Sequence, residues 1–171
     1  MKKLNIGCGE KPMKGYVNLD VCRFKGVDVI HNLNKFPYPF KDNTFDEIRA
    51  SQVIEHVNNF PEVMRELCRI LKPGGVLKIW SVTVHTIWVQ PFHKRAFMHN
   101  TMDFFCNYPT EHGTFDFKAV RVKKYIFGKK WTFWNYLIEP IMNRIPTAYE
   151  CSFLYYLFPA REIYFELIKN S

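Results

Sequence analysis

Five short apolar runs separated by turn residues organise the first half of the chain: 4–6, 16–19, 27–30, 45–48 and 76–82. Runs of this length, rich in Val, Ile and Leu, read as strands. The first and third are continuous or nearly so, the pattern of parallel strands buried on both faces. Ahead of the fifth, "NNFPEVMRELCRILKPGG" predicts a helix over 60–71. Asn58 or Asn59 caps it, Pro61 suits its first turn, and Val63, Leu67, Ile70 and Leu71 form its apolar stripe. Lys72-Pro73-Gly74-Gly75 stops it. Strand–helix–strand alternation of this kind predicts an α/β sheet.

The second half is less regular. Residues 100–108 suggest a short helix, and "FKAVRVKKYIF" places a strand over 115–127. In 132–145, Trp134, Leu137, Ile138, Ile141, Met142 and Ile145 recur at helical spacing, the pattern of a core-facing stripe, with Pro140 set to kink or break the helix. The end, "REIYFELIK", alternates Ile163, Phe165 and Leu167 against Glu162, Tyr164 and Glu166, so an antiparallel strand with one wetter face is expected. With neither repeats nor a low-complexity linker, 1–171 reads as a single domain.

One connection is too short. Only Glu10 to Gly15 separate Gly9 from Tyr16, whereas a crossover helix needs about a dozen residues. The link still has the reach: nine steps from Gly7 span up to about 30 Å, against about 17 Å for a five-residue strand. The first crossover helix is therefore expected to be reduced or missing. One face of strands one and two then lacks a cover, which the aromatic segment 129–158 or a second subunit, as a homodimer, would supply.

Chemistry-bearing residues gather at the strand ends, where open α/β sheets bind ligands. Gly7-Cys8-Gly9 follows strand one, and glycines let a backbone approach a ligand closely. Asp20 ends strand two, placed to accept hydrogen bonds from two ribose hydroxyls. Asn32 and Leu33 follow strand three, an amide for an adenine edge and an apolar side chain for its ring. Ser51-Gln52 and Glu55-His56 follow strand four. The ordered set reads as an adenosine site.

These residues carry a family resemblance. "LNIGCG", Asp20, "FPYPFKDNTFDEIRASQVIEHV" and "LCRILKPGG" resemble class I S-adenosylmethionine-dependent methyltransferases, and more narrowly small methyltransferases similar to the type 11 group with a shortened motif I loop. The narrower likeness adds His93-Lys94-Arg95-Ala96-Phe97 and the closing "FPAREIYFEL". It extends over almost the whole chain and is weakest over 115–150. It implies a Rossmann-like sheet in strand order 3-2-1-4-5-7-6, the seventh strand antiparallel, with a cofactor-binding half (1–84) and an acceptor-side half (85–171) holding a helical insertion near 129–158. It also implies S-adenosylmethionine as cofactor, held by Asn5, Gly7, Cys8, Gly9, Asp20, Asn32, Leu33, Ser51 and Gln52. The departures are Asn32, where many relatives have Asp, and the absent third glycine with its helix. A cofactor without a phosphate needs that helix dipole less than a dinucleotide does, and Lys11 or Lys14 could hold its carboxylate.

Methyl transfer needs a base only when the acceptor carries a proton at neutral pH. His56 is the first choice, with His93 beside it and His85 as a further candidate. Glu55, Lys94 and Arg95 are assigned to the acceptor, a small or glycan-like molecule, and Tyr108 and His112 are candidate pocket residues. The net charge is +8, and between 85 and 135 eight basic residues face three acids. That excess raises RNA methylation as an alternative, without an added RNA-binding module to favour it, and a non-catalytic scaffold as another. Five scattered cysteines without a CxxC pair suggest a reduced, cytoplasmic chain without a metal site. "MKKLNIGCG" does not read as a signal peptide, and no run of about 18 apolar residues predicts a membrane span. The aromatic segment from Trp131 to Phe158, next to Lys129 and Lys130, could instead lie against a membrane surface.

Overall fold

A computed structural model of the protein describes residues 1–106, 115–130 and 132–171. Seven strands make one sheet: β1 (Lys3–Ile6), β2 (Val17–Asp20), β3 (Val29–Ile30), β4 (Phe45–Ser51), β5 (Leu71–Val82), β6 (Phe117–Ile126) and β7 (Glu162–Lys169). Their order is β3-β2-β1-β4-β5-β7-β6. β1 to β5 pair in parallel, and β7 runs antiparallel to both β5 and β6. Order and direction match the class I methyltransferase sheet that the resemblance implied. Residues 10–15 form turns and no helix, so the first crossover helix is absent.

The register sorts side chains into two faces. Leu4, Ile48, Leu77 and Leu167 line up across β1, β4, β5 and β7, and Ile6, Ala50, Ile79 and Phe165 form the next such row. Both rows are fully buried. Helix α1 (Phe60–Ile70) brings Val63, Met64, Leu67 and Ile70 to the same core. Asn59 Oδ1 caps it by accepting the Glu62 N–H at 3.2 Å. Pairing of β5 begins already at Leu71 and resumes at Val76, so Lys72–Gly75 ends the helix as an outward loop within the strand rather than before it.

The opposite face carries the intervening rows, Asn5, Arg49, Lys78 and Glu166 among them. Lys78 Nζ donates to Glu47 at 2.8 Å, Tyr16 donates to the same carboxylate, and Arg121 pairs with Glu166. Arg49 lies 3.9 Å above the Trp80 ring, which stacks on Tyr164. Where the missing helix would have demanded apolar partners, this face is a polar ladder satisfied within the sheet.

Several expectations are corrected. β3 is two residues long, pairs only with β2 and leaves Ile30 half exposed, because an edge strand is not buried on both faces. The segment at 100–108 forms a 3-10 turn over Thr101–Phe105; Asn107 and Tyr108 fall outside the described residues, as do His112 and Trp131. α2 (Asn135–Arg144) runs through Pro140 without breaking. The aromatic segment does not cover β1 and β2. α2 packs on β6, followed by α3 (Pro146–Glu150) and α4 (Leu154–Leu157). The stripe at helical spacing is split: Met142 is buried and Ile138 packs against the core, but Trp134, Leu137, Ile141 and Ile145 are exposed, while the polar Asn135 and Glu139 are buried. Among the described residues no helix is long and apolar enough to cross a membrane.

Candidate active site

The carboxyl edge of the sheet holds a cavity of about 280 Å³ whose walls include Gly7, Asp20, Asn32, Leu33, Val53 and His56. The turn after β1 forms one side. Gly7 N–H and Cys8 N–H both donate to Leu19 O, at 2.8 and 3.2 Å, which folds the turn back onto β2. Asp20 then accepts the Gly9 N–H at 2.8 Å on Oδ2 and the Cys22 N–H at 3.0 Å on Oδ1. A carboxylate offers about four lone-pair sites, so two remain for hydroxyls in the cavity. Asn32 Oδ1 is occupied by the Asn34 N–H at 2.9 Å, which leaves the Nδ2 donors for a ring nitrogen.

Other residues of the predicted cofactor set sit nearby without lining this cavity. Asn5 is buried and donates to Asn18 at 3.1 Å. Cys8 is buried, and burial together with the Asp20 charge pushes its thiol pKa up; its part is the turn. Gly9 contributes its amide to Asp20. Ser51 closes β4, and Gln52 takes a positive φ of 53° while donating its N–H to Trp80 O at 2.8 Å. Lys11 and Lys14 are exposed on the 8–16 loop.

Gln52 belongs to a second cavity, of about 250 Å³, shared with Val82, Val89, His93, Arg161 and Glu162. The two cavities flank a histidine pair. His56 lines the first, His93 lines the second, and their rings are 4.8 Å apart. His93 Nδ1 lies 2.8 Å from Ile87 O, and His56 Nδ1 lies 3.3 Å from Phe92 O. A carbonyl only accepts, so both Nδ1 atoms carry a proton, and it is Nε2 of each ring that is left for an acceptor group.

The loop that carries His56 is clamped from outside. Arg95 donates to Ile54 O, Val57 O and Asn58 O at 2.9, 2.6 and 3.1 Å. Lys94 donates its N–H to Glu55 O at 2.9 Å and its ammonium to Asn58 Oδ1. Burial lowers the Arg95 pKa, and the Glu55 charge opposes that shift. Glu55 is fully buried: Oε2 accepts from Ser81 Oγ at 2.7 Å, and Oε1 has no partner. Lys94, Arg95 and Glu55 line neither cavity: Arg95 is spent on the loop carbonyls, the Lys94 ammonium on Asn58, and the Glu55 carboxylate is buried against Ser81. Glu55, His56 and His93 place one potential ligand atom each within 4.8 Å of one another. A tetrahedral ion bound at 2.0–2.2 Å would draw such atoms to about 3.4 Å. His85 is set against Tyr155 at 4.3 Å, and burial lowers its pKa.

Sequence reading missed Val53, Arg161 and Glu162. The last two had a signal: an antiparallel β7 must begin at the carboxyl edge of β5, so "ARE" had to reach the site.

A family described as a methyltransferase domain matches residues 1–118. The chain belongs to that methyltransferase family. Among curated relatives, the demethylmenaquinone methyltransferase of Listeria welshimeri is 36% identical over 69 residues, covering 39% of the chain and 29% of the relative. The match thus spans less than a third of that protein. Among solved structures, a SAM-dependent methyltransferase from Archaeoglobus fulgidus superposes with a TM-score of 0.67 at 16% identity, over 98% of this chain and 86% of that one. Phosphoethanolamine N-methyltransferase 2 of Haemonchus contortus, in complex with phosphomonomethylethanolamine and S-adenosylhomocysteine, superposes with a TM-score of 0.60 at 15% identity, over 100% of this chain and 50% of that one. The family fold implies S-adenosylmethionine, and the first cavity fits it: unused acceptors on Asp20, an amide donor on Asn32 and an apolar wall of Leu33 and Val53.

Proposed function

We propose that the protein transfers a methyl group from S-adenosylmethionine to a small-molecule acceptor held in the second cavity. The observation that carries this reading is the His56–His93 pair between the two cavities. Asp20 takes the ribose hydroxyls, Asn32 Nδ2 and Leu33 hold the adenine, and the backbone at Gly7 borders the methionine part. When bound, the cofactor supplies an activated methyl group as electrophile. His93 Nε2, backed by His56, accepts the proton that an acceptor O–H or N–H gives up as the methyl bond forms. Arg95, Lys94 and Glu55 are positioning residues that hold the His56 loop and do not touch the acceptor. Exposed Val89 on the cavity wall, with Trp88 and Phe92 beside it in the chain, suits an apolar acceptor better than a glycan. The demethylmenaquinone methyltransferase relative, whose name denotes a small-molecule acceptor, points the same way. RNA methylation has weaker support: Lys94 and Arg95 are engaged by the loop, and Arg121, Lys123, Lys124 and Lys129 pair with acids.

Calorimetric titration with S-adenosylmethionine tests the reading. Binding by the wild type and its loss in Asp20→Ala are expected; a wild type that does not bind overturns it. His93→Gln should keep cofactor affinity while abolishing turnover of a proton-bearing acceptor.

A further inference from the structure

Helix α2 is built inside out. Its buried positions are Asn135, Glu139 and Met142, at most 8% exposed, with Ile138 packed beside them on the core, while Tyr136 and Leu137 on the outside and Phe133 just before the helix are 67, 66 and 77% exposed. The inversion is stable because the inward polar groups are all met. Asn135 Nδ2 donates to Gly128 O at 2.6 Å. Glu139 accepts the Phe127 N–H at 3.1 Å and pairs with Lys124 and Lys129 at 3.2 Å each. Ile141 extends the outer face, and Phe153, Tyr156 and Leu157 of the α4 region are exposed as well. Trp134 and Leu157 line one groove, which joins the two exposed sets, and apolar surface of this kind on a folded chain marks an interaction site.

Charge decides what it meets. The acids of the segment turn inward, Glu139 onto its two lysines and Glu150 onto Tyr125 and the His99 N–H. The exposed charges at the patch are basic: Lys130, Arg144 and Arg161. An apolar face of Phe, Tyr, Trp and Leu rimmed by cations is the composition of a helix lying in an anionic lipid interface, rings at headgroup depth and basic groups at the phosphates. A second copy fits worse, since a two-fold contact sets the patch against itself and so one basic rim against another basic rim.

We propose that α2 and α4 dock the protein on anionic membrane surfaces. The docking face adjoins the acceptor side of the molecule: Arg161 lines both the second cavity and a groove of about 420 Å³ shared with Trp134, Asn135 and Leu157. Docking therefore brings that cavity to the lipid surface, although the docking itself does not depend on the methyl-transfer reading.

Flotation with vesicles of phosphatidylcholine alone, and of phosphatidylcholine with phosphatidylglycerol, tests the proposal. Binding only to the anionic vesicles is expected, and it should weaken as salt screens the charges. Leu137→Asp should lower binding by about tenfold or more, with the unfolding midpoint and calorimetric cofactor binding unchanged. Should that variant misfold, Lys130→Glu with Arg144→Glu should abolish the anionic preference. Equal binding to both vesicles, no flotation, or a dimer in sedimentation that Leu137→Asp dissociates each overturns the proposal. A wild type that floats without binding S-adenosylmethionine supports docking while removing the proposed activity.

Discussion

Gly7 has no room for a side chain because of Val53. A Cβ on Gly7 would stand 2.6 Å from Val53 Cβ and closer still to its Cγ2, and the residue has a φ of +64°. The sequence suggested that this glycine admits a ligand. The structure shows that it first admits the neighbouring loop, whose Val53 then becomes a wall of the first cavity.

Gly7→Ala should therefore be destabilising by about 2–4 kcal/mol, through left-handed strain and overpacking combined, and should displace Val53 into the cavity. Val53→Ala in the same chain should recover the overpacking part and leave the strain. Urea denaturation of the two single variants and the double variant measures that coupling.

Asp20→Asn costs binding more than it costs folding, since it gives up one of the two amide hydrogen bonds where Asp20→Ala gives up both. One amide oxygen can still accept from Gly9 or Cys22, but the NH2 group replaces an acceptor and the charge is gone. Charge-assisted hydrogen bonds contribute about 1.5–3 kcal/mol each, so affinity for S-adenosylmethionine should drop by about two orders of magnitude. Asp20→Ala should lose stability as well, since two part-buried amides lose their acceptor. Calorimetry beside a thermal melt distinguishes the two outcomes.

Arg95→Met keeps the apolar stem over the Phe60 ring, 5.4 Å from the guanidinium, and removes three hydrogen bonds to carbonyls. A loss of about 2–4 kcal/mol is expected. Hydrogen exchange should rise first in the loop at 53–58 and spread to α1 only at higher denaturant. Uniform exchange across the sheet would instead place Arg95 in the global core.

The polar ladder predicts acid sensitivity. Burial alone would raise the Glu47 carboxyl pKa, but hydrogen bonds from Lys78 and Tyr16 and the charge of Lys3 outweigh it and hold the value below the usual range. The unfolded chain, with a carboxyl near pKa 4.3, binds the proton more readily than the folded one. The stabilisation is thus complete above about pH 5 and is lost as pH falls through the depressed folded value. Glu47→Gln should be less stable than wild type at pH 7, and the gap should narrow by pH 3, as read from urea midpoints across that range.

What the sequence by itself determined is the frame. Apolar runs of strand length, one capped helix, an alternating last strand and a connection too short for a helix specify which segments are strands and which crossover is missing, because these are properties of neighbouring residues, whereas the strand order was implied by the family resemblance. The residues at the strand ends were legible for the same reason: Asp20 and Asn32 sit where each strand stops. Tertiary structure alone decided the rest. His56 meets His93 only because Arg95 ties the two loops together, and Gly7 meets Val53 only because β1 and β4 pair. Helical spacing in α2 predicted that its apolar stripe faces the core, and most of that stripe faces outward instead. That was settled by the bare backbone groups of Gly128 and Phe127 at the end of β6, whose hydrogen bonds Asn135 and Glu139 can make and a leucine cannot.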